Sequence, residues 1–205
     1  MIKYDQYLST LSQISADTSH KDKDGNPVVM TSSTAQAIEF DTFLEDYLKA
    51  IYAKAAKTNS VDAFCLLDGK YCLIEFKNGE IDKEQVRNKI TSSVSSIVFK
   101  DNISPEYFRD NSMFILVYNK NSSGGLSPEA YEHHNEYVYL LKPKEINPSV
   151  SKDIILNHIS NKSGQPIVRF KLKMFKNLFF SQVMTMDKEI FEEYIKNKTI
   201  TIPEN

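Results

Sequence analysis

The sequence predicts an α/β domain built on a mixed central β-sheet with helices flanking both faces. Three observations carry that expectation. Residues 60–67 and 71–78 are rich in β-branched, aromatic and apolar types and flank Asp68-Gly69, a strong signal for a tight two-residue hairpin. That hairpin is apolar on both sides, with Val61, Ala63, Cys65, Leu67, Cys72, Ile74 and Phe76 on one face and Phe64, Leu66 and Leu73 on the other. A sheet of that kind is covered on both sides. Helical periodicities precede and follow it, so helices and strands interleave along the chain.

Taken in order, Tyr4, Tyr7, Leu8, Leu11 and Ile14 fall at helical spacing and predict a first helix over 3–16. His20 to Pro27 reads as a turn. Its Asp22-Lys23-Asp24-Gly25-Asn26 resembles part of a calcium loop, but the glycine comes two places early and no glutamate closes the loop. Ser33 followed by Gln36 predicts an N-cap opening a long helix to about Lys57, with Phe40, Phe43, Leu44, Tyr47, Leu48 and Ile51 on its apolar face. After the hairpin, Asp82 with Gln85 caps a helix whose stripe is Val86, Ile90, Val94 and Ile97. Met113–Tyr118 reads as a buried strand, 121–125 as a loop and Tyr137–Leu141 as a strand. Beyond Pro148 the pattern weakens. Ile154–Ile159 is read as helical, Ile167–Phe175 alternates, Phe179–Met184 is read as a strand, and Asp187 caps a last helix through Lys196.

A chain of 205 residues, 41% of them hydrophobic, supports one domain over 1–205. Its core is expected at about 33–141, with a C-terminal extension at about 150–205. No apolar run approaches the ~20 residues of a membrane span, and Met1-Ile2-Lys3-Tyr4-Asp5 lacks a signal-peptide pattern, so no membrane partner and a cytoplasmic location are expected. Cys65 and Cys72 are too few for a disulfide framework. The net charge of −2 means that any attraction to nucleic acid must come from a local basic surface.

A type I′ turn at Asp68-Gly69 would pair Leu67 with Lys70 and, stepping outward, Cys65 with Cys72 and Asp62 with Glu75. The two cysteines then face each other as packed thiols, with a disulfide geometrically conceivable. The two carboxylates would have β-carbons about 5 Å apart, with Lys77 projecting from the same face. Like charges opposed on an apolar sheet need compensation, which a divalent cation supplies. Hard oxygen ligands beside an ammonium suit Mg2+ or Mn2+, which can activate a water and stabilise charge on a phosphate. Lys77 would orient that water or help to deprotonate it.

Asp62, twelve intervening residues and then Glu75-Phe76-Lys77 resembles the signature of the PD-(D/E)XK nuclease superfamily, over about residues 33–120. Val61 stands where the signature's proline would be. The resemblance implies a restriction-endonuclease-like fold and a metal-dependent nuclease with catalytic Asp62, Glu75 and Lys77. It further implies metal ligands Asp62 and Glu75 and a glutamate from the preceding helix, Glu39 first and Glu45 second. Gln85 is similar to the glutamine that RecB-like members carry on the next helix, and it equally fits a capping-box partner of Asp82.

Lys83, Arg87 and Lys89 on that helix, and Arg169, Lys171 and Lys173 near Lys176, are candidate phosphate contacts, although a solvated face explains such charges too. Adjacent His133 and His134 point apart on any regular element, and His20 and His158 show no partner in the sequence. No phosphate-binding glycine loop, nucleophile elbow or zinc motif is present. The expected function is hydrolysis of phosphodiester bonds, chiefly in DNA, with a homodimer or partner protein as a possible source of affinity. The alternative is a nuclease-fold binding or regulatory module that does not cut, or a subunit of a larger nuclease.

Overall fold

The structure is a computed structural model and describes residues 2–52, 59–119, 168 and 170–204. Its strands are β1 (Leu8–Thr10), β2 (Ala16–Lys21), β3 (Pro27–Val29), β4 (Gln36–Glu39), β5 (Ala63–Leu67), β6 (Lys70–Lys77), β7 (Ser112–Tyr118), β8 (Gln182–Asp187) and β9 (Ile200–Thr201). The helices are α1 (Leu11–Ile14), α2 (Phe40–Tyr52), α3 (Lys83–Lys100), α4 (Pro105–Asp110) and α5 (Lys188–Ile195). A seven-stranded sheet runs β1-β4-β5-β6-β7-β8, with β9 beside β4 on the same edge of β5, while β2 and β3 form a separate hairpin. The sheet is mixed. Its first strands pair antiparallel, whereas β6-β7 and β7-β8 are parallel.

Both faces are buried, as the two-sided apolar pattern predicts. Phe64, Leu73, Phe114, Leu116 and Val183 pack beneath α2, α3 and α4. Cys65, Cys72, Ile74, Ile115, Val117 and Met184 pack against α1 and α5 on the other side. The fold is therefore α/β with helices on both faces. β8, α5 and β9 come from the segment expected as a C-terminal extension, and they complete the same sheet and its second core. Among the described residues, no helix is long and apolar enough to cross a membrane.

The hairpin forms in the expected register, from Leu67↔Lys70 to Ala63↔Ile74. Asp68 and Gly69 both have positive φ, 51° and 79°, as a type I′ turn requires. A β-carbon on Gly69 would meet nothing within 4 Å, so the backbone alone resists a larger residue there. Gly69→Ala should destabilise the chain by about 1–2 kcal/mol, read as a lower urea midpoint with an unchanged slope. Cys65 and Cys72 face each other as buried free thiols, and burial followed by the neighbouring Cys65 pushes the Cys72 thiol well up.

Four expectations are corrected. Residues 3–16 are not one helix, because Tyr4 buries against Phe43 on one face of the sheet and Leu11 joins the core on the other. Tyr4–Tyr7 is instead a 3-10 turn, and Thr10 with Gln13 forms a capping box that opens α1 at Leu11. The long helix from Ser33 begins only at Phe40. Adjacent Ala37 and Ile38 bury on opposite sides, which a strand's alternation allows, and the Ser33 hydroxyl accepts from Ala35 in a local turn. In the span expected to alternate over Ile167–Phe175, the described residues 170–175 form no strand, since Phe170 and Lys171 are left-handed and Leu172–Phe175 is a 3-10 turn that buries Leu172 and Phe175. Finally, the strand expected at Phe179–Met184 lies at Gln182–Asp187, with Phe180 stacked on Phe114 ahead of it. The expected elements at 121–125, Tyr137–Leu141 and Ile154–Ile159, together with His133, His134, His158 and Arg169, lie outside the described residues.

Candidate active site

At the open end of the hairpin, two anchors fix the chain entering β5. The Phe40 N–H at the start of α2 donates to the Asp62 carbonyl at 2.9 Å, and the Val61 N–H donates to the buried Ser93 hydroxyl of α3 at 3.0 Å. Asp62 lies one residue beyond the last ladder pair and continues the register through its side chain, its Oδ2 accepting the Phe76 N–H at 2.6 Å. That bond aims Oδ1 toward Glu75. The β-strand alternation places Glu75 and Lys77 on the α3 side of β6.

Lys89 of α3 draws the pair together. Its Nζ donates to Asp62 Oδ1 and Glu75 Oε2, each at 3.0 Å, and lies 2.9 Å from Glu75 Oε1. Lys77 Nζ is 3.1 Å from the same Oε1 and donates to Gln85 Oε1 at 2.8 Å. Glu75 is fully buried, whereas the side chains of Asp62, Lys77 and Lys89 keep 19%, 17% and 12% of their surface, so the cluster opens to solvent on one side. Despite two ammonium groups nearby, Glu75 Oε1 is a buried oxygen that accepts no well-aligned hydrogen bond.

The electrostatics follow from that crowding. Burial first, then Asp62, push the Glu75 carboxyl up to about 8, against the opposing pull of Lys89 and Lys77. Burial works against a charged Lys89, but Glu75, Asp62 and Asp41 outweigh it and hold its pKa above the ordinary lysine value. Asp41, in the first turn of α2, joins the same field. Its rim is open to solvent, yet the protein around it raises its carboxyl pKa; Lys89 and the Ser60 hydroxyl counter this, and Asp62 adds to it.

Of the residues singled out in the sequence, Asp62, Glu75, Lys77, Lys89 and Gln85 converge. Gln85 gives its backbone N–H to the Asp82 cap and its side chain to Lys77. Glu39 does not join them. It is exposed on β4 and paired with Ala63, whose face is the one opposite Glu75, because α2 starts one residue after it. Glu45 pairs instead with Lys49 at the surface. The acidic residue from this region is Asp41, which a helix start at Phe40 would have pointed to. Lys83 is exposed and shares with Arg87 a flank of α3 turned away from Gln85 and Lys89. The Arg87 Nε is buried without a hydrogen-bond partner. Lys171 and Lys173 are exposed, but the left-handed turn at Lys171 gives them no common strand face.

Past Lys77, the Asn78 amide donates to Asp17 Oδ2 at 3.0 Å and accepts from Asn119 at 2.7 Å, which ties the β2-β3 hairpin and the end of β7 to the end of β6. His20 bonds the same Asp17. Neither link was visible in the sequence, since the partners lie 61 and 41 residues from Asn78.

Among the described residues, no three His, Cys, Asp or Glu side chains form a ready ligand cluster. The oxygens present still fit a hard cation. Asp62 Oδ1 and Glu75 Oε1 converge on one point, the Lys89 ammonium at 3.0 and 2.9 Å, and magnesium commonly takes one or two carboxylates and fills its other positions with water. No protein-family model, no curated protein and no solved structure matches this chain.

Proposed function

We propose that the chain is a metal-dependent nuclease of the PD-(D/E)XK type with a restriction-endonuclease-like fold, hydrolysing phosphodiester bonds in nucleic acid, with DNA as the first candidate. One observation carries this reading: Asp62 and the fully buried Glu75 meet at the mouth of the hairpin with their oxygens turned to one point, and Lys77 lies 3.1 Å from Glu75. A fully buried carboxylate beside a partly buried one is a costly arrangement, and perturbed carboxylates of this kind concentrate at functional sites.

Asp62 Oδ1 and Glu75 Oε1 would hold Mg2+ or Mn2+, and the Phe76 N–H fixes the rotation of Asp62 while burial fixes Glu75. When bound, such an ion acidifies a coordinated water and stabilises negative charge on a phosphate. Lys77, held by Gln85, positions the attacking water, and Asp41 adds negative charge at the rim. The overall charge of −2 leaves nucleic-acid affinity to a local surface, a second copy or a partner protein.

A second reading is favoured by Lys89, which already neutralises the carboxylate pair: a nuclease-fold module that does not cut. Incubation with linear, circular and single-stranded DNA and with RNA, plus Mg2+ or Mn2+, separates the two. The first reading expects metal-dependent cleavage that falls by about 10²–10⁴-fold in Lys77→Ala. Absence of cleavage on every substrate with either metal would end it in favour of the second.

A further inference from the structure

Lys89 sits where a bound cation would have to go. Its ammonium touches Asp62 Oδ1 at 3.0 Å and both oxygens of Glu75 at 2.9 and 3.0 Å, the same atoms proposed as the metal ligands. The helix beneath it is fixed, since Val86, Ile90 and Ser93 are fully buried and Ser93 is bonded to the chain just before Asp62. The side chain is another matter, because four rotatable bonds join that ammonium to the backbone and 12% of its surface is already open. A divalent ion binds carboxylate oxygen at ~2.0–2.1 Å and repels an ammonium held against the same oxygens. The two cations compete for one seat.

We propose that Lys89 is a tethered counter-ion that the metal must displace, so that metal loading and release of the Lys89 ammonium are one event. The inference rests on the reading of Asp62 and Glu75 as metal ligands and adds to it a determinant of metal affinity. In the metal-free chain Lys89 keeps the buried carboxylates paired and the site closed on itself. On loading, its ammonium swings to the rim, where a phosphate of the substrate can pair with it. Lys77 has no such role, because Gln85 anchors it and it approaches only one Glu75 oxygen.

The test uses the full wild-type chain and Mn2+ alone. Amine acetylation followed by peptide mass spectrometry reports the labelling rate of Lys89, with exposed Lys83 as the internal reference, and electron paramagnetic resonance reports bound Mn2+. The expected result is slow labelling of Lys89 without metal and a rise of about tenfold or more at saturating Mn2+, with Lys83 unchanged. Lys89→Gln keeps a hydrogen-bond donor and removes the charge, so it should bind Mn2+ about tenfold or more tightly than wild type. If Mn2+ binds while Lys89 labelling stays constant or falls, displacement is overturned and the metal centre stands. If Mn2+ binds to neither protein, the metal centre and the inference fall together. Should Lys89→Gln not fold, the labelling on wild type decides alone.

Discussion

On the proposed nuclease reading, Glu75→Gln is expected to reduce metal-dependent cleavage by about three orders of magnitude, on the order of 4 kcal/mol of transition-state stabilisation, while leaving the chain folded. Gln preserves the shape of a side chain that has no exposed surface, and it removes the only fully buried charge among the carboxylates of the site. The same variant carries a stability signature that an unrelated loss of activity would not. Glu75 titrates near 8 in the folded chain against an ordinary value in the low fours when unfolded, so the native state binds its proton more tightly. That contribution to stability is fully present below the unfolded pKa and is lost as pH rises through the folded one. Wild type should therefore lose stability relative to Glu75→Gln between about pH 4.5 and 8, with a slope of at most about 1.4 kcal/mol per pH unit. Paired urea titrations across that window measure it. A flat difference would mean that the native Glu75 titrates like a solvated carboxylate.

Phe114→Ala should cost about 3–5 kcal/mol, the largest stability effect expected for a single residue here. Phe114 lies in the middle of β7, hydrogen-bonded to β6 on one side and β8 on the other, and its ring stacks on Phe180 at 5.8 Å. β6 is held by its further ladder to β5, and the ring is walled by Phe180 and the rest of a fully buried core, so the cavity left by the ring has little freedom to collapse. Against a typical total of about 5–15 kcal/mol, the loss is a large fraction of the stability of the chain. Equilibrium urea unfolding reads it directly. The site should feel the loosening as well, because β7 pairs Leu116 with Glu75 and Tyr118 with Lys77.

The hairpin was legible because its signals are local. Asp68-Gly69 names the turn type, the turn type names the register, and the register places Asp62 opposite Glu75 without knowledge of any other element. α3 was legible for the same reason, with Asp82 at its cap and Val86, Ile90, Val94 and Ile97 in its stripe. β4 was not. Ser33 and Gln36 imitate a cap, the apolar spacing runs on into α2, and the strands that claim Gln36–Glu39 lie far along the chain, with Ile38 paired to Leu8 and to Phe64. The misplaced helix start put Glu39 forward and hid Asp41. Lys89 was read as a candidate phosphate contact or a solvated charge because helical position alone assigns it to a polar flank, and only the fold shows that Asp62 and Glu75 stand opposite that flank. The turn at Phe170 and Lys171 was hidden by the alternation of its sequence, since these left-handed residues carry no glycine to announce them.

The side chains of Asp62, Glu75, Lys77, Gln85 and Lys89 all belong to one short stretch of chain, and their hydrogen bonds join residues 8 to 27 positions apart. The strand that closes the edge of β5 is tied on by Thr199 and Asp68, 131 positions apart. Loop-closure entropy grows with the logarithm of that separation, so joining a 14-residue loop is easier than joining the 131-residue one by about 2 kcal/mol. The carboxylate and ammonium cluster thus comes from the part of the chain that is easiest to bring together, while the late-closing strand β9 joins the turn end of the hairpin, away from that cluster.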